Sequence, residues 1–113
     1  MLHDEKWDLD EDGKVIWNVA NYIEEHGWIQ DHFHRSGSVC ILGAYRALGK
    51  YNDHSSLRRI ASFLGWGSNF SAPWAVVDYN DTPGRTKEEV ITMLKQAARR
   101  KQAARRKQAA RSK

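Results

Sequence analysis

A single cysteine, Cys40, leaves no room for an internal disulfide framework and suits a reducing compartment. No apolar run approaches the ~20 residues that span a bilayer, and the opening Met1-Leu-His-Asp-Glu-Lys-Trp-Asp8 lacks the apolar core of a signal peptide. A cytoplasmic protein without a membrane partner is therefore expected. Gly-rich phosphate loops, serine elbows and dinucleotide fingerprints do not occur, so no common enzyme class is spelled out and no cofactor is implied. Neither glycine nor proline follows Gly84, and no acid occurs from Lys95 onward.

The last of these absences organises the chain. Residues 95–113 carry four lysines, five arginines and no acid, a charge of +9. Residues 1–94 carry 14 acidic and nine basic residues, a charge of −5, and the two parts give the overall +4. An acidic body with a basic end suits association with a polyanion or with an acidic protein surface.

Read in order, residues 1–13 form an acidic arm, residues 14–98 a small helical domain, and residues 99–113 a basic repeat that continues the last helix. Asp8-x-Asp10-x-Asp12-Gly13 copies half of a calcium loop, but Val19 stands where the closing bidentate glutamate is needed. Acids ahead of a helix suit its positive end, with Asp12 as a candidate cap. Val15, Ile16, Val19, Ala20 and Ile23 share one helical face that stops at Gly27. A small hairpin or loop around Arg35-Ser-Gly37 precedes a short helix over 41–48, in which Gly43 lets a neighbouring helix approach closely. Asp53 opens another helix with Leu57, Ile60, Ala61 and Leu64 inward. Trp74-Ala-Val-Val-Asp-Tyr79 is apolar enough for a short strand or buried extended segment, and Thr86 with Glu89 forms a capping box for the last helix. The expected fold is mainly α: a compact bundle of about four helices with a small hairpin or extended segment, its last helix extended into a basic tail.

Three blocks occur in order: Gly27-Trp28-x-Gln30, then Cys40-Ile41-Leu42-Gly43-Ala44, then Asn80-Asp81-x-Pro83-Gly84-Arg85-Thr86. In these the chain resembles a domain-of-unknown-function family of small proteins from actinobacteria and their phages, over roughly residues 14–98. Tyr79 stands where that pattern has tryptophan. The resemblance implies an intracellular accessory protein of a phage or an actinobacterium, acting in the host cytoplasm if phage-encoded, and brings no activity, cofactor or catalytic residue with it. The basic repeat lies outside the pattern.

Several clusters invite chemistry. His32, His34 and Cys40 fall within nine residues, a conceivable zinc set that lacks the paired ligands such sites use. Cys40 with a histidine and Asn80 or Asp81 has the makings of a thiol nucleophile, and Asp78 with Asp81 of a carboxylate pair. The apolar Val-Cys-Ile-Leu setting and ordinary turn chemistry account for both. Trp66, Phe70 and Trp74 suit either core packing or a partner-binding patch.

In the repeat, Lys-Gln-Ala-Ala-Arg-Arg recurs every six residues, and six residues turn a helix by a net of about 240°. Successive Ala-Ala pairs point in different directions, so no apolar seam forms for a coiled coil or a membrane surface. A rod basic on all sides remains, presenting Lys95, Arg99, Arg100, Lys101, Arg105, Arg106, Lys107, Arg111 and Lys113 to phosphates without reading bases. The expected function is a non-enzymatic binding module for nucleic acid. The alternatives are a protein-only adaptor or inhibitor of a host protein using the Trp66–Trp74 loop, and a small metal-binding or hydrolytic enzyme.

Overall fold

The computed structural model describes residues 9–67 and 70–111, and side chains as far as Arg100. Expectations about Asp4, Glu5, Trp7 and Asp8, about the side chains of Lys101, Arg105, Arg106, Lys107 and Arg111, and about Lys113 lie outside the described residues.

Helix α1 spans Glu11–His26, reaching back into the expected arm. Its cap is Asp10 rather than Asp12, because the Asp10 carboxylate accepts the Gly13 N–H at 2.8 Å. Asp12 instead sits in the first turn, where its charge suits the helix dipole. Ile16, Val19, Ala20 and Ile23 are fully buried along one stripe. Gly27, at φ 103°, ends the helix and donates to Ile23.

The chain then forms a two-strand antiparallel hairpin, β1 (His34–Arg35) and β2 (Ser38–Val39), paired His34 to Val39 and Arg35 to Ser38. Helix α2, Ile41–Ala47, follows directly. A Cβ on Gly43 would lie 1.8 Å from the Phe33 carbonyl oxygen, so the close neighbour admitted here is hairpin backbone and not a helix. Helix α3 covers His54–Phe63 with Asp53 as its cap. Tyr45 of α2 and Ser56 of α3, both fully buried, share a 2.8 Å hydrogen bond.

Residues 74–79 are not extended. They belong to helix α4, Ala72–Asn80, started by Ser71, whose hydroxyl accepts the Trp74 N–H, and by Pro73 in the first turn. Ala72, Ala75, Val76 and Asn80 are its buried face, at spacings of three, four and eight. The apolar Ala-Val-Val run suggests a strand, whereas the Ser-Ala-Pro start decides for a helix. Among the described residues five helices therefore stand where about four are expected.

Helix α5, Lys87–Arg111, opens on the capping box: Thr86 N–H donates to Glu89 Oε1 at 2.9 Å, and Glu89 N–H to Thr86 Oγ1 at 3.1 Å. Val90, Met93, Leu94, Ala97 and Ala98 are buried. Gly13 faces Ala98 while Lys87 reaches the Glu24 carbonyl, so α1 and α5 run antiparallel. A Cβ on Gly13 would meet the Ala98 carbonyl oxygen at 2.6 Å, which is how closely they pack. Among the described residues no helix is long and apolar enough to cross a membrane.

Candidate functional site

Among the residues whose side chains are described, the last core residue of α5 is Ala98, and the helix runs on to Arg111. At the root of this extension the basic side chains rest on aromatic rings. Lys95 Nζ lies 5.0 Å and Arg99 Cζ 5.2 Å from the Trp17 ring, and Arg100 Cζ lies 5.7 Å from Phe63. Lys95 also pairs with Glu24 at 3.9 Å and is half-buried, so it is committed to the body. Arg99 and Arg100 are exposed and lead out along the helix.

The body is fastened to this root by Arg59, a buried residue of α3. Its Nη2 donates to both Asp10 carboxylate oxygens, at 2.8 and 2.7 Å, and lies 3.5 Å from Asp12. Its Nη1 donates to the Ala98 carbonyl oxygen at 3.1 Å. One guanidinium thus joins the start of α1, the middle of α3 and the departure point of α5. No sequence signal marks it, because Arg58 and Arg59 look alike as a basic pair.

A second concentration of polar groups lies at Asn80, which is 1 % exposed. Its Oδ1 accepts Trp28 Nε1–H at 2.7 Å and the Ile41 N–H at 3.2 Å. Its Nδ2 donates to the Ile29 carbonyl at 3.1 Å and to Asp81 Oδ1 at 2.9 Å. Gln30 Nε2 donates to the carbonyls of Asn80 and Thr82, and Asp31 N–H donates to Asp81 Oδ1. These bonds latch the segment after α1 onto the end of α4. The three sequence blocks meet here.

Beside the latch is a cleft of about 350 Å³, with His32, Cys40, Asn80 and Asp81 in its walls and Phe33, Leu42 and Val77 as its apolar part. Cys40 and Asn80 are therefore neighbours, yet they do not form a nucleophile set. Cys40 Sγ accepts the Gly43 N–H at 3.3 Å as the cap of α2, and burial pushes the thiol pKa above its ordinary 9.0, with the Asp81 charge adding to the rise. All four hydrogen-bonding positions of Asn80 are taken. His34 lies outside this cleft, in the hairpin, and both histidines are exposed. Among the described residues no group of three or more histidine, cysteine or acidic side chains is arranged to hold a metal. Asp78 is exposed and its backbone carbonyl accepts Thr82 Oγ1–H, which is turn chemistry.

The three aromatics divide: Trp66 packs against the core, whereas the other two face outward. Phe70 and Trp74 are 56 % and 54 % exposed, and each meets half-buried Trp66 edge-on, at 4.9 and 5.1 Å between ring centres.

The chain belongs to DUF6197, a family of unknown function, whose model matches residues 10–100. No curated protein and no solved structure matches it. The matched segment includes Asp10, Arg59 and the Asn80 latch, and it stops where α5 leaves the body.

Proposed function

We propose that this member of the family is a non-enzymatic binding module whose basic C-terminal helix contacts nucleic acid without reading its sequence. The observation that carries the reading is the continuation of α5 as one helix for 13 residues past Ala98, over a stretch whose charged residues are all basic. Those residues rise by about 20 Å. Duplex DNA offers one phosphate charge per ~1.7 Å, so a rod of that length lies against several phosphates at once. The excess of positive charge lies on this helix, beside a body that is acidic overall. An intracellular accessory role, in an actinobacterium or a phage infecting one, fits this reading.

Binding of a labelled duplex by the full chain, followed by anisotropy across a salt series, tests it. With every basic residue of the tail engaged the log–log slope approaches about −8, and about half of that is expected. Affinity indifferent to salt contradicts the reading. Failure to bind DNA or RNA, with binding of an acidic peptide, gives the tail an acidic protein partner instead.

The exposure of Phe70 and Trp74 favours a second reading, in which the body contacts a protein through this loop. Its signature is a complex that survives nuclease treatment and is lost in a Phe70→Ser, Trp74→Ser double variant.

A further inference from the structure

Between the start of α1, the outer face of α3 and the root of α5 lies a cleft of about 380 Å³. Three arginines line it, Arg58, Arg59 and Arg100, against one carboxylate, Asp12. That carboxylate is engaged: it accepts the Ser55 hydroxyl and lies beside Arg59 Nη2. Arg58 is exposed and has no carboxylate among the described residues within ion-pair distance, and the exposed Ser62 hydroxyl stands one helical turn further along α3. Among the described residues no acceptor meets the buried Nε–H of Arg59, although Nη1 and Nη2 of that guanidinium both donate. A buried donor left open costs free energy unless something else accepts from it, and here it belongs to a residue in the wall of a net-positive cleft.

We propose that this cleft seats a backbone phosphate of the nucleic acid lying along α5, with Arg58 and Arg100 flanking it and Arg59 Nε–H and the Ser62 hydroxyl donating to its oxygens. The inference rests on the function proposed above and adds to it a fixed point on the body. Arg100 belongs both to the cleft and to the exposed root of the helix, so a strand following α5 toward the body arrives here. Phe63, which also lines the cleft, carries the Arg100 guanidinium on its ring and thereby holds that cation at the rim. A phosphodiester suits the site better than a carboxylate, since its several oxygens serve donors arriving from different sides.

The test uses the full chain and a short DNA duplex over a salt series, with Arg58→Gln and Ser62→Ala, and with Lys50→Gln as an equal charge change outside the cleft. Arg58→Gln is expected to weaken binding about three- to tenfold at low salt and to make the log–log slope shallower by about one. Ser62→Ala is expected to weaken binding less and leave the slope unchanged, and Lys50→Gln to match the unaltered chain. In nitrogen–proton spectra the Arg59 Nε–H signal, assigned by its loss in Arg59→Lys, should shift on adding the duplex. Salt-sensitive binding with Arg58→Gln indistinguishable from Lys50→Gln, or with a stationary Arg59 signal, overturns the seat and leaves the helix reading standing. Absence of salt-sensitive binding by the full chain overturns both.

Discussion

Trp28 Nε1–H donates to Asn80 Oδ1 at 2.7 Å across 52 residues of sequence, and the same oxygen accepts the Ile41 N–H. One amide thereby holds the segment after α1, the start of α2 and the end of α4 in a single arrangement. Asn80→Ala leaves the Trp28 and Ile41 donors and the Ile29 carbonyl unmatched in a largely buried place, at about 1–3 kcal/mol each. A loss of about 3 kcal/mol or more in urea unfolding is expected, with the m-value unchanged. A loss below about 1 kcal/mol would show that water replaces the amide freely.

Arg59 makes the corresponding junction at the other end of α1. Removing one partner of a buried ion pair costs about 3–5 kcal/mol, because the other charge stays behind. Arg59→Met, which keeps the apolar stem, is expected to lose that much in equilibrium unfolding. Asp10→Asn retains the α1 cap and should lose less than Asp10→Ala.

Gly43→Ala would put a methyl group into the Phe33 carbonyl, which also accepts the Cys40 N–H at 3.1 Å. The hairpin must move and that bond must stretch. A destabilisation of about 1–3 kcal/mol or more is expected. Amide exchange should rise first at Cys40 and Val39, and unchanged exchange there would contradict the packing described.

Burial raises the pKa of three groups above their ordinary values: Cys40, Tyr45 and Tyr79. For each, the folded chain keeps a proton that the unfolded chain releases, starting near the unfolded values of 9.0 for the thiol and 10.0 for the phenols. Their stabilising contribution is complete below those values and is lost as pH rises toward the folded ones. The unfolding midpoint should therefore fall between about pH 8 and about pH 10. Cys40→Ser, which keeps a cap for α2, should lessen the earliest part of the fall. Iodoacetamide should label Cys40 only after denaturation, and rapid labelling of the native chain would contradict its burial.

The helices whose apolar residues repeat at three and four were legible from the sequence: α1, α2, α3 and α5, with the Thr86–Glu89 box marking the start of the last. Helix α4 was hidden by Val76-Val77, whose β-branched pair suggests a strand, although Ser71-Ala-Pro73 carried the opposite signal. Asn80 looked like an ordinary turn residue, because its partners Trp28, Ile29 and Ile41 lie 39–52 residues away and only the fold brings them to it. Cys40 was legible as a core residue from its apolar neighbours, but its capping of Gly43 depends on α2 starting where it does. Phe70 and Trp74 show the limit of composition: aromatic residues of a small domain suggest core, and these two face outward. Arg59 was the least visible, since local spacing does not say which of two adjacent arginines meets a carboxylate 49 residues earlier.

The central claim is that the extension of α5 binds nucleic acid, and truncation tests it most directly. The full chain and a chain ending at Ala98 are compared at low salt for binding to the same labelled duplex, with circular dichroism confirming that both are folded. The account predicts that the shorter chain, having lost eight of the nine basic residues after Leu94, binds at least about a hundredfold more weakly and with a much shallower salt slope. Equal affinity of the two chains would contradict it.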